Sequence, residues 1–99
     1  MYESRIKSEQ ADLLMSAVLK LGTQEDAYRF FEDICTIAEI KSMAQRLEVA
    51  MLLREGETYQ EIVRRTGASS ATISRVNRAL IYGADGYNRV LTALEKDTD

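Results

Sequence analysis

The chain has 99 residues, a formal net charge of −3, no histidine, no proline and one cysteine, Cys35. That length holds one domain with a modest core, a lone cysteine excludes an internal disulfide framework, and no run approaches the roughly 18 apolar residues of a membrane span. The hydrophobic share of 45% with only five glycines points to an all-α fold. The N-terminus lacks the apolar run of a signal peptide, so a cytoplasmic protein with no membrane partner is expected.

In chain order the first helical pattern is Ile6, Leu13, Leu14, Ala17, Val18 and Leu21, closed by Gly22. Thr23 then caps a second helix with Glu25 and Asp26 in its first turn, where the helix dipole favours acids. Its apolar side is Ala27, Phe30, Phe31 and Ile34. Thr36 with Glu39 and Ser42 with Gln45 are both capping-box pairs. They leave open whether residues 37–55 form one helix or two. That stretch presents Met43, Leu47, Ala50, Met51 and Leu53 and ends near Gly56. Cys35, in a helical and apolar neighbourhood, reads as a small core residue rather than a reactive thiol. The broad apolar faces at Leu13–Leu14, Phe30–Phe31 and Leu52–Leu53 imply burial on two sides, which a homodimer would supply.

The most informative segment is Thr58–Leu80. Thr58 and Glu61 form another capping-box pair, opening a helix that runs through Ile62 and Val63 to about Thr66. Gly67 falls where the chain must leave that helix in a left-handed conformation. Ser69 can cap a second helix over Ser70–Ile81. At 100° per residue, Ile73, Val76 and Leu80 share one side, with Asn77 at the margin. Ala71, Arg75, Arg78 and Tyr82 take the opposite side, with Ser74 beside them. Two helices joined by so short a glycine turn make a helix-turn-helix, whose second helix can enter a major groove. Small residues at its N-terminus permit close approach. Arginines further along can reach guanine edges or phosphates. A last helix follows Asp85 with Val90, Leu91 and Leu94, before a polar tail, which makes about six helices in all.

Charge distribution matters more here than the sum. From Ile62 to Thr92 there are five arginines and one acid, Asp85, whereas residues 1–45 carry eight acids and five bases. An acidic body with a basic reading surface steers DNA to one face. A helical hairpin with a merely solvated arginine face is the competing reading, but such a face ordinarily mixes signs. Catalysis is not expected. The chain has no histidine, metal-ligand cluster or glycine-rich phosphate loop, and the serines near Arg75 have no base to activate them.

The run LLREGETYQEIVRRTGASSATISRVNRAL resembles the Trp repressor superfamily from Arg46 to Leu80. SMAQRLEVAMLLREG, ATISRVNRAL and the turn containing Tyr82–Gly83 and Gly86–Tyr87 resemble the short Trp-repressor-like proteins of the YerC/YecD family over nearly the whole chain. The resemblance implies an all-α, intertwined homodimer forming a single domain over residues 1–99. Residues 1–56 would then be mainly core and dimer helices, 58–81 the helix-turn-helix and 85–96 the C-terminal helix. A dimer would place two motifs ~34 Å apart, one turn of DNA. The implied function is sequence-specific binding of double-stranded DNA by a transcriptional regulator, with repression as the implied direction. A protein-interaction adaptor that keeps the fold without reading DNA is the alternative. Family contacts carried over by position fall on Gln60, Ser70, Ala71, Ser74 and Arg75. The full expected interface adds Arg64, Arg65, Ser69, Thr72 and Arg78.

The resemblance also carries a departure. In the repressor, tryptophan lies between two arginines beside a glycine that follows the second of them. Here Arg75 matches the second arginine, but Val76 takes the glycine position and Ala79 replaces a downstream serine. The first arginine falls on Gln45 or Arg46. A branched side chain in a packed slot costs on the order of 1–3 kcal/mol. Tryptophan is therefore not expected as a ligand, Val76 is expected to fill the slot as core, and no cofactor is expected.

Overall fold

Most of the helices begin where a short polar side chain can take up a free backbone N–H. The computed structural model describes residues 2–97, which form six α-helices and, among those residues, no strand: α1 (Glu9–Val18), α2 (Gln24–Ile34), α3 (Ile37–Arg54), α4 (Tyr59–Thr66), α5 (Ser70–Tyr82) and α6 (Gly86–Asp97). The chain divides into two compact units, residues 1–40 and 41–99.

In the first unit, Ser8 accepts the Ala11 N–H at 3.0 Å and so starts α1 two residues after Ile6, which lies outside the helix and is 69% exposed. The Lys20 and Leu21 amides reach back only three residues, to Ala17 and Val18, which tightens and ends the helix before Leu21. Thr23 caps α2 by accepting from Asp26 at 3.1 Å. Phe30 and Phe31 meet edge to face with centroids 5.5 Å apart. Neither α1 nor α2 holds a buried residue, and Leu13 is 73% exposed.

Residues 37–54 form one helix, which settles the alternative left open by the two capping-box pairs. Thr36 and Glu39 make the complete reciprocal box: Thr36 donates its N–H to Glu39 Oε1 at 2.8 Å, and Glu39 donates its own to Thr36 Oγ1 at 3.1 Å. These Thr36 bonds, the backbone one first, hold the Glu39 carboxyl below its ordinary range. Ser42 lies inside the helix and caps nothing. At the other end the Glu57 N–H bonds Leu52 O and the Gly56 N–H bonds Leu53 O, a Schellman closure with Gly56 at φ 85°.

The core belongs to the second unit: Val49, Ala50 and Leu52 of α3, Ile62 of α4, Ala68 of the turn, Ile73 and Val76 of α5, and Leu91 of α6. Here the register of α3 differs from the sequence expectation. Of the expected apolar set, Ala50 is buried and Leu53 packs half-buried against the core, but Met43, Leu47 and Met51 are exposed, while Val49 and Leu52 are fully buried. The cause is that α3 carries apolar residues on two faces, and α4–α6 cover only one of them. α4 packs on α5 and α5 on α6. Arg54 straps α3 to α6 through Asn88 O at 3.2 Å and Thr92 Oγ1 at 3.1 Å, with Glu95 at 3.7 Å. Asn88 in turn donates to Leu80 O at 3.1 Å and to Asp85 Oδ1 at 3.2 Å, fixing the link from α5 to α6. Gly86 and Tyr87 belong to the first turn of α6 rather than to the turn before it. α6 continues through the start of the expected polar tail, and Thr98 and Asp99 lie outside the described residues.

Candidate nucleic-acid interface

Between α4 and α5 the chain reverses in three residues. Gly67 takes φ 72° and donates its N–H to Val63 O at 2.9 Å, an αL cap that glycine makes without a Cβ penalty. Thr66 donates its hydroxyl to Ile62 O at 2.8 Å and accepts the Ala68 N–H at 3.1 Å. Ser69 accepts the Thr72 N–H at 3.1 Å and so starts α5. The helix-turn-helix expected from the caps and the glycine is thus present, with α5 one residue longer than expected.

Ile73 and Val76 are buried, Leu80 and Asn77 half-buried. Gln60, Arg64 and Arg65 of α4 are exposed, as are Ser69, Ser70, Ala71, Ser74, Arg75 and Arg78 along α5. Among the described residues no carboxylate lies within ion-pair reach of Arg75 or Arg78. Tyr82, at the far end of the same face, is 81% exposed. Thr72 is the one half-buried member of the expected set, and its hydroxyl accepts from Ser69 Oγ at 3.1 Å, so the pair is occupied in shaping the helix start.

Arg64 is also engaged. Its guanidinium grips Glu61 through both oxygens, with Nε to Oε2 at 3.0 Å. The Thr58–Glu61 box is therefore half formed: Thr58 accepts the Glu61 N–H at 3.1 Å, while the Glu61 carboxylate turns to Arg64 instead of back to the cap. The Arg64 hydrogen bond, then the charges of Arg64 and Arg65, hold the Glu61 carboxyl below its ordinary value, and Arg64 is pushed up in turn.

Behind the exposed face, Val76 is 3% exposed and belongs to the core. The space beside it is not closed. A groove of about 300 Å³ remains, with Ser42, Gln45 and Arg46 of α3 on one wall and Thr72, Arg75 and Ala79 of α5 on the other. Gln45 is the half-buried one of the two α3 candidates and donates Nε2 to Thr66 O at 3.1 Å, whereas Arg46 is exposed. Sequence reasoning did not anticipate that bond, because no local pattern pairs residues 21 apart in the chain.

Six helices, no strand among the described residues and a tight glycine-turned pair presenting an arginine face define a helix-turn-helix protein. The chain belongs to the Trp repressor protein family, whose sequence signature matches residues 9–95. It is 51% identical over 92 residues to the uncharacterised protein YerC of Bacillus subtilis strain 168, covering 93% of this chain and 88% of that one. A crystal structure of a TrpR-like protein from Eubacterium eligens is 54% identical, with a TM-score of 0.88 over 92% of this chain and 94% of that one. A second, from Staphylococcus aureus, is 43% identical, with a TM-score of 0.87 over 92% and 91%. No helix among the described residues is long and apolar enough to cross a membrane.

The Glu61–Arg64 pair has a measurable consequence. A carboxyl whose pKa is depressed in the folded state adds stability that is complete above its unfolded value and is lost as pH falls through the folded value. Carboxyl titration by NMR should place the Glu61 midpoint below 4.5, and Arg64→Ala should move it upward. An unchanged midpoint in that variant would show that the pair does not form in solution.

Proposed function

We propose that this protein is a homodimeric transcriptional regulator, acting in the cytoplasm as a repressor, that reads double-stranded DNA in the major groove with α5. The observation that carries this reading is the exposed face of α5, where small residues lead into Arg75 and Arg78 with no carboxylate within ion-pair reach among the described residues. Ser70, Ala71 and Ser74 admit close approach to base edges. Arg75 is the proposed base reader, because bidentate arginine–guanine pairing is the commonest specific contact. Gln60, Arg64, Arg65, Ser69, Thr72 and Arg78 complete the interface, with Arg64 and Arg65 on phosphate. Selection from random duplexes should enrich a two-half-site sequence. On it, Arg75→Ala should cost ~1–3 kcal/mol and relax one position, while Arg65→Ala should weaken all sequences alike and flatten the salt slope by about one. No enriched sequence at low salt would overturn the reading in favour of a protein-interaction adaptor.

Dimerisation rests on surface that one chain leaves uncovered. Met43, Leu47 and Met51 lie four residues apart on a single face of α3 and are exposed. Two of them, with Val90, line an apolar groove of about 550 Å³. α1 and α2 bury nothing by themselves. Contiguous apolar surface of this kind marks an association face, and helices exchanged between two copies would join residues 1–99 into one functional domain. Light scattering should give twice the 11.2 kDa of the chain. Leu13→Asp should shift the mass toward that of one chain. A wild-type mass of one chain would overturn the dimer.

Tryptophan is not the ligand in this proposal. Val76 is packed into the core where the repressor's indole slot would be, and Ala79 offers no hydroxyl on the neighbouring turn. Calorimetry with tryptophan should show no saturable heat at micromolar concentrations; a saturable isotherm there would contradict it.

A further inference from the structure

The carbonyl of Thr66 is the last of α4 and has no partner within its own helix, so something outside must satisfy it. Gln45 does so from α3, across a gap of 21 residues, with its amide half-buried. The geometry points to Gln45 as the residue that sets the pose of the reading helix without any ligand, and this rests on the proposed function above. Thr66 is the hub of the turn: its hydroxyl binds Ile62 O and receives the Ala68 N–H, and Ala68 is itself buried in the core. Three residues after Thr66, Ser69 starts α5. A bond that fixes Thr66 against α3 therefore fixes both the end of α4 and the origin of α5. Gln45 also shares the polar groove with Arg75, the proposed base reader. Being neutral, it can sit half-buried without the desolvation cost of a charge. It acts through Thr66 and is a positioning residue.

Gln45→Met keeps the length and loses the donor; Gln45→Glu sets an acceptor against the Thr66 carbonyl. Each is measured for helicity, amide exchange at Gly67 and Ala68, and affinity for the selected duplex against a random duplex. The Met and Glu variants should keep wild-type helicity, exchange faster at both amides and lose roughly fivefold or more in the selected-to-random ratio, the scale of one hydrogen bond. Their salt slopes should stay at the wild-type value, because Gln45 touches no phosphate. If the Met and Glu variants keep the wild-type ratio, Gln45 is only a structural bond and the inference is wrong. If wild-type protein selects no duplex, the DNA-reading function itself fails, which is a separate result.

Discussion

Within three residues after Thr66 the chain must end one helix, reverse and begin another, and that reversal exposes backbone groups that water or the protein has to satisfy. Here the protein supplies most of them. The Gly67 N–H goes to Val63, the Ala68 N–H to the Thr66 hydroxyl, the Thr72 N–H to Ser69 and the Thr66 carbonyl to Gln45. The positive φ of Gly67 permits the first of these, and the core residue Ala68 pins the turn from below. Everything proposed for the outer face of α5 depends on this reversal, because it sets the direction in which Ser70 to Arg78 point.

The parts of this arrangement that were legible in the sequence are the local ones. Ser69, Thr58 and Thr23 cap helices within three residues of themselves, Gly67 signals its own conformation, and the period of α5 separates Ile73 and Val76 from Arg75 and Arg78. What the sequence did not disclose depends on contacts between distant segments. α3 has apolar residues on two sides, so periodicity alone could not decide that Val49 and Leu52 are fully buried while Met43, Leu47 and Met51 stay exposed. Arg54 and Gln45 satisfy carbonyls 34 and 21 residues away. The Thr58–Glu61 box failed for a related reason. Arg64 lies one helical turn from Glu61 and offers it two charge-assisted bonds, which outbid one neutral backbone N–H.

Charge and hydrophobicity are divided along the chain in a way that fits two different associations. The exposed face of α5 is polar and cationic, with no carboxylate within ion-pair reach of its arginines among the described residues, and it suits a polyanion. The exposed faces of α1 and of α3 near Met43 and Met51 are apolar and suit another protein surface, a second copy being the proposal made here. A net charge of −3 is compatible with both, since the charges are unevenly divided along the chain: residues 1–45 carry eight acids and five bases, whereas Ile62 to Thr92 carries five arginines and one acid.

The groove between α3 and α5 joins the two halves of the functional proposal. Val76 takes apolar volume there and Gln45 takes the polar bond. The two side chains therefore meet two requirements at once, apolar contact behind α5 and a satisfied carbonyl at the end of α4, while a groove of about 300 Å³ stays open beside them. A charged side chain in place of Gln45 would need a counter-ion in that half-buried setting, and the formal charges lining the groove, those of Arg46 on the same wall and Arg75 on the other, have the same sign as arginine or lysine. Neutrality at residue 45 and a branched side chain at residue 76 are then, in the proposal made here, two parts of one physical solution, in which contacts of the chain itself set the pose of α5.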